Sequence, residues 1–199
     1  MKMTAFAVAL LGWLFNLTAH AAAIGEIERT AKIGVAVSAL NLSIEEPDGS
    51  ADTETEFSPV NFFYTDVFLN DYHYWAEVFY QSATFEASTT NIGQDVKRLG
   101  FRLSLQKQFT AGPGWQLLGG VGAYVSKEEF TDRFTKDVDG FLLRRYEDRS
   151  ENILGGLIEG VVTRNLGERW DLMFRGAYEI PFGDGVEAFS ISAGVIYGL

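Results

Sequence analysis

Arg98-Leu99-Gly100-Phe101-Arg102-Leu103-Ser104-Leu105-Gln106-Lys107-Gln108-Phe109 splits into two sets when every second residue is taken. Leu99, Phe101, Leu103, Leu105 and Phe109 fall on one face, and Arg98, Gly100, Arg102, Ser104 and Gln106 on the other. A helix would mix these sets, whereas an extended strand keeps them apart. After Trp170 the split recurs, with Leu172, Phe174, Gly176, Tyr178 and Ile180 opposing Asp171, Met173, Arg175, Ala177 and Glu179. It recurs again at the end of the chain, where Phe189, Ile191, Ala193, Val195, Tyr197 and Leu199 oppose Ser190, Ser192, Gly194, Ile196 and Gly198. Similar windows are expected near 31–44, 58–69, 72–86, 96–109, 115–129, 150–164, 169–180 and 188–199, eight in all.

The connections alternate in length. Glu45 to Phe57 is long, Asn70-Asp71 tight, Ala87 to Asp95 medium, Ala111 to Gly114 tight, the region around Val138 long, Asn165 to Gly167 tight, and Pro181 to Glu187 medium. Long loops at one end and short turns at the other are the pattern of an up-and-down antiparallel barrel, and all four prolines fall in connections or at a strand start. Facing parity then assigns individual residues, because a slip of one residue swaps the faces of a strand. A two-residue turn at Asp139-Gly140 pairs Val138 with Phe141 and, further down, Val121 with Ile158 and Gly120 with Glu159. The same hairpin runs well past the other strands; the alternative for Phe130, Phe134 and Val138 is a short helix, since they also recur every four residues. At Asn70-Asp71, parity predicts Phe63, Thr65, Val67 and Leu69 on the outer face, with Tyr64 inside facing Glu77.

Composition bounds the classes open to such a chain. It has 199 residues, no Cys, 47% apolar residues and a net charge of -11, which fits one domain, excludes a disulfide framework or thiolate zinc site, and argues against nucleic acid as a partner. Glycine occurs 21 times among only four prolines, which suggests closely packed strands rather than a linker. The N-terminus reads separately from the rest. Lys2, the apolar run Met3 to Leu17 and the small residues of Ala19-His20-Ala21 predict a secretory signal peptide over 1–21, leaving 22–199 as one domain outside the cytoplasm.

The polarity of the strands decides their solvent. In a soluble barrel the outside is polar and the cavity apolar, but here the in-strand charges oppose continuous rows of Leu, Phe, Val and Ile. Those rows must face hydrocarbon, and a closed barrel is the sheet that leaves no unpaired backbone there. Aromatics gather where the interfaces fall: Tyr72, Tyr74, Phe109, Trp115, Trp170 and Tyr197 at the short-turn end, Tyr178 and Phe189 toward the long loops. The expected fold is all-β, an eight-stranded antiparallel up-and-down transmembrane β-barrel.

With that pattern the whole chain after the signal segment resembles the small eight-stranded bacterial outer-membrane barrels of the OmpX, OmpA-transmembrane-domain and OmpW kind. The most specific part is Ser192-Ala193-Gly194-Val195-Ile196-Tyr197-Gly198-Leu199. Ser192, Gly194, Tyr197 and Leu199 look like the C-terminal signal read by the barrel-assembly machinery, although family members most often end in Phe. The resemblance implies a Gram-negative outer-membrane location among phospholipid and lipopolysaccharide, with periplasmic termini and short turns and outward-facing long loops.

Function then rests on the interior and the loops. The inward charges Glu77, Arg98, Arg102, Glu159, Asp171, Arg175 and Glu179, with Gln81, Gln106 and Tyr64, are expected to form a salt-bridge network plugging the lumen. Counting from the turns puts Arg102, Arg175 and Glu159 near mid-height, Arg98 and Glu179 near the outer mouth, and Glu77 and Asp171 near the periplasmic end. A narrow polar or gated path is the competing reading, and inward Leu118, Ile153, Leu157 and Val161 favour a channel for small or hydrophobic solutes. The first loop carries Glu45, Glu46, Asp48, Asp52, Glu54 and Glu56 without calcium-loop spacing and reads as solvated. The third loop presents Phe141, Leu142, Leu143, Arg144 and Arg145, candidates for a surface ligand, a protein partner or lipid phosphates. A lipid A-modifying enzyme is the third reading, but His73, the one His after the signal segment, falls beside the periplasmic turn, and no phosphate loop, metal cluster or nucleophile elbow is present. Catalytic, cofactor and metal sites are therefore not expected; envelope structure or adhesion through the outer loops is.

Overall fold

A computed structural model describes residues 31–45, 51–69 and 71–199. The expected signal peptide, Glu46, Asp48 and Asn70 lie outside the described residues. Among the described residues nine strands form one sheet: β1 (Lys32–Glu45), β2 (Ala51–Leu69), β3 (Tyr72–Phe85), β4 (Gly93–Gly112), β5 (Trp115–Lys136), β6 (Leu142–Arg145), β7 (Arg149–Asn165), β8 (Trp170–Pro181) and β9 (Glu187–Gly198). Eight of them close into an antiparallel barrel in the order β4-β3-β2-β1-β9-β8-β7-β5, with β4 pairing back to β5; the short β6 pairs only with the far end of β5. The expected eight-stranded barrel is what the chain forms.

Closure carries a stagger. Cross-strand partners followed around the wall lead from Tyr124 through Arg102, Glu77, Phe63, Gly34, Ile196 and Asp171 to Asn165. Asn165 donates its backbone N-H to Gly114, ten residues before Tyr124, in the turn that leads into the same strand. Such a shear tilts every strand against the barrel axis and leaves an interior that side chains can fill.

Facing follows period two. Leu99, Leu105, Phe109, Phe174, Ile180, Ile191 and Val195 are exposed on the outside, while Arg98, Arg102, Gln106, Asp171, Met173, Arg175 and Glu179 are buried. The outward apolar band is flanked by exposed Tyr72, Phe109, Trp115 and Trp170 at the short-turn end, and by Tyr178 and Phe189 at the other. Arg164 lies over the Trp115 ring, and Trp170 packs on Tyr197 at 4.9 Å. A cation beside an aromatic at this depth suits a bilayer interface, where the ring is half in hydrocarbon.

Second-strand parity comes out opposite to expectation, and one residue causes it. Leu69 pairs with Tyr72 as a two-residue turn demands, but Val67 pairs with His73, so Phe68 is a bulge. Everything below it changes sides. Phe63 and Thr65 are buried in the lumen, Phe62 is 62% exposed, and Tyr64 faces outward against Tyr74, with ring centroids 5.7 Å apart. Phe63, not Tyr64, stands opposite Glu77. A second irregularity between Ala36 and Ser38 falls where β2 carries Pro59, well inside the strand rather than at its start. Proline in a sheet is tolerated at such interruptions.

Two loops also depart from expectation. The acidic Glu45 to Phe57 stretch is mostly ladder, with Glu45 paired to Ala51, because alternating Thr53, Glu54, Thr55 and Glu56 extend β2 along β1. At the third loop the turn has three residues, not two. Asp137 accepts from Gly140 and donates to Phe141, and Gly140 has φ 85°, the type I turn with a left-handed glycine. The slip is cancelled by an irregularity between Thr135 and Lys136, where Leu143 is the extra residue. Val121 therefore still meets Ile158, and Gly120 meets Glu159. The alternative helix over Phe130 to Val138 does not form, since β5 runs to Lys136.

Candidate functional site: the lumen and the outer hairpin

Inward residues along β3 read Trp75, Glu77, Phe79, Gln81, Ala83 and Phe85, which places charge between two apolar layers. Around the barrel the lower layer is Ala36, Phe63, Trp75, Leu118, Val161, Met173 and Ile196. The upper layer includes Leu40, Leu42, Ile44, Phe85, Val96, Phe130 and Val186. Phe63 stacks on Trp75 with ring centroids at 4.3 Å, filling the lower cross-section.

Between the layers the ionic groups form one alternating chain. Glu128 accepts from Arg98 Nε at 2.8 Å, Arg98 reaches Glu179 at 3.0 Å, Glu179 meets Arg102, Arg102 meets Glu77 at 2.9 Å, Glu77 meets Arg175, and Arg175 Nε donates to Glu159 at 2.6 Å. Each guanidinium thus spans two carboxylates. Both ends are acidic and capped by neutral donors: Ser126 and the Val186 N-H on Glu128, Ser104 and Gln106 on Glu159. Arg98 also donates to Gln81 at 2.6 Å, and Arg102 lies over the Phe79 ring at 3.9 Å. Buried charge is tolerated when every ion has partners of this kind.

The sequence-predicted residues distribute as follows. Glu77, Arg98, Arg102, Glu159, Arg175 and Glu179 are joined in the chain, with Gln81 and Gln106 as neutral partners. Asp171 is not part of it: it lies below the lower apolar layer, 2.6 Å from Lys32 and 3.0 Å from Asn165. Tyr64 is outside the barrel, for the reason given by the Phe68 bulge. Glu77 sits at mid-height, directly opposite Arg102, not near the short-turn end. Counting from a turn measures position along one strand, and the stagger of the closed sheet shifts that position between strands. Glu128 was not anticipated, although it shares the facing of Gly120. Also unanticipated is a polar patch in which Asn61 donates to Ser38 at 2.9 Å and Ser38 shares a hydrogen bond with Ser192 at 2.7 Å.

Of the C-terminal residues, Ser192 points inward, Tyr197 accepts from Arg169 at 3.0 Å, and the Leu199 N-H donates to Ala31. Gly194 passes so close to β1 that a Cβ would lie 2.3 Å from the Val35 carbonyl. Inward Leu118, Ile153, Leu157 and Val161 are all buried by neighbouring side chains. His73 pairs with Gln106 near the short-turn end of β3, remote from the long loops.

Past the upper apolar layer the outer elements are of two kinds. The connection from β8 to β9 folds inward, burying Val186 and donating its N-H to Glu128 at 3.1 Å. The β5–β6 hairpin projects outward. On it Val138 is 89% exposed, Phe141 71%, and Leu142 and Leu143 63% each. Arg133 and Arg144 flank the Tyr146 ring, and Arg133 ties the hairpin to Gln94 at 3.0 Å and to the Glu147 carbonyl. On the outer wall below, the Lys127 ammonium donates to the Glu129 carboxylate.

No protein-family model matches the sequence, and no curated protein matches it. Among solved structures, the Neisserial surface protein A superposes with a TM-score of 0.63 at 14% identity, covering 87% of this chain and 100% of that one. Ail, the attachment invasion locus protein of Yersinia pestis in complex with the heparin analogue sucrose octasulfate, gives 0.57 at 17% identity, covering 87% and 100%. At such identities the likeness is one of fold. The chain has the fold of the small eight-stranded outer-membrane β-barrels.

Proposed function

We propose that this barrel sits in a bacterial outer membrane and acts by surface interaction through its outer loops, without turnover and without conducting. The observation that carries the reading is the sealed lumen below a protruding, apolar-tipped hairpin. Among the described residues, two packed apolar layers with a continuous ionic chain between them occupy the lumen where a solute would have to pass. The apolar inward side chains that favour a hydrophobic-solute channel are consumed in packing. Lipid A chemistry would need an acid-base pair at the long-loop end, whereas His73 is at the other. Ail, a protein named for attachment and invasion, shares the fold and supports a binding role.

The test is adhesion by cells that display the chain. Replacing residues 134–145 by a two-residue Asn-Gly turn should abolish binding to cultured cells while the heat-shifted band of the folded barrel persists on gels. Planar bilayers containing the intact protein should show no steady conductance. Unchanged adhesion after the replacement, or a stable open channel, would refute the proposal.

A further inference from the structure

We infer that the barrel wall parts reversibly between β2 and β3 on the long-loop side, uncovering the upper apolar layer while the lower one stays enclosed. The movement goes beyond the binding role of the outer loops and does not depend on it. Other seams are laddered far toward the loops: β1–β2 as far as Glu45–Ala51, β3–β4 to Phe85–Gln94, β4–β5 to Gly93–Phe134 and β1–β9 to Ser43–Glu187. Between β2 and β3 the ladder ends at Phe62–Val78, although β3 continues to Phe85 and β2 to Ala51. Among the described residues no ladder pair joins the two strands beyond that point. The interruption has a local cause. β2 is irregular between Ser58 and Asn61, and Pro59 within that stretch has no N-H to donate. The Ser58 hydroxyl donates instead to the Tyr80 carbonyl at 2.7 Å.

That bond fixes the direction of the β3 backbone. Residues two apart turn their N-H and C=O the same way, so Tyr80, Ser82 and Thr84 face β2, whereas Gln81 and Ala83 face β4. Side chains bordering the seam place it at the lipid interface and beyond. Asn41 donates to Thr55, Thr53 to Ser43 and Thr84 to Asp95, which makes this outer face polar. Phe62 and Val78, 62% and 50% exposed below the seam, are paired. Hydrocarbon requires the full ladder and water does not, so the ladder ends where lipid does. On the lumen side lie Leu40, Leu42 and Ile44 of β1 with Ala83 and Phe85 of β3, all buried. Above the Ser58–Tyr80 bond, separating β2 from β3 breaks no ladder pair, and local openings of that kind cost far less than unfolding the sheet. Continuous pairing below Phe62–Val78 keeps Phe63, Trp75 and the rest of the lower layer shut.

The experiment uses the full folded chain in phosphatidylcholine nanodiscs, carrying Leu42→Cys or, as the lower-layer control, Met173→Cys, in a sequence with no other Cys. Both native side chains are fully buried. A water-soluble maleimide should label Leu42→Cys about tenfold faster than Met173→Cys, because only the upper layer is reached by local opening. Adding Phe57→His and Ser82→His, outward on either side of the seam, lets nickel ions clamp it and should slow that labelling by about tenfold, every variant keeping its heat-shifted band. Equal labelling of the two thiols overturns the inference. So does labelling of Leu42→Cys that nickel leaves unchanged in the clamped variant, which assigns entry to the outer mouth instead. Amide exchange on the unsubstituted chain tests the seam without altering any side chain. Ser82 and Thr84 should exchange well ahead of Gln81 and Ala83, and equal protection of all four overturns the inference as well.

Discussion

Replacing Arg175 by Met removes the cation that joins Glu77 to Glu159 and leaves two guanidiniums against four carboxylates in the buried chain, which natively holds three against four. Glu159 would keep Ser104 and Gln106, and Glu77 would keep Arg102, so neither is abandoned, but the excess charge rises and each acid loses a guanidinium, which for Glu159 is its one cationic partner in the chain. Breaking a buried pair from one side costs about 3–5 kcal/mol. Glu159→Gln does the reverse: it balances the chain at three against three and retains an acceptor, so a cost of about 1 kcal/mol or less is expected. The exposed pair of Lys127 and Glu129, 50% and 43% accessible, sets the baseline, and Lys127→Met should lie within about 1 kcal/mol of the parent. Guanidinium unfolding of the barrel in lipid vesicles, followed by Trp fluorescence, gives the three values. If Arg175→Met unfolds with the parent, or Glu159→Gln is as costly as Arg175→Met, the chain is not what holds the lumen together.

Cysteine labelling tests the second strand: Phe62→Cys should react with a lipid-phase maleimide and Phe63→Cys should not, and the opposite pattern would mean the Phe68 bulge is absent. Gly34→Ala should destabilise, because its Cβ would fall 2.2 Å from the Phe63 ring and 2.7 Å from the Val195 carbonyl, while Gly176→Ala, with nothing within 4 Å, should leave the unfolding midpoint unchanged. Equal midpoints for the two variants would show that the ring of Phe63 is not seated there.

What could be read from the sequence, and what could not, divides along a physical line. Alternation in Arg98 to Phe109 specifies strand and facing by itself, because each side chain's side depends only on its neighbours along one chain. Which charges touch depends on stagger between strands, and the stagger is set by closure of the whole sheet; hence Glu77 was expected too low, and Asp171 was grouped with partners it does not meet. Phe68 shows the sharper limit. Nothing in Phe-Phe-Tyr-Thr-Asp-Val-Phe-Leu announces a bulge, yet one inserted residue exchanges Phe63 with Tyr64 between lipid and lumen. At the third loop two such insertions cancel, so a register derived from the wrong turn came out right. Glu128 was within reach, since parity from Gly120 puts it inside.

The ionic chain draws its members from β3, β4, β5, β7 and β8, and two of them, Arg175 and Glu179, come from β8, the eighth of the nine described strands. Until β8 arrives, Glu159 has no cation, and Arg102 meets only Glu77. A half-built sheet therefore keeps a wet, mismatched interior that resists being sealed early. Arrival of the β8–β9 hairpin both completes the wall and neutralises what it encloses, so that shutting out water and closing the sheet become a single event.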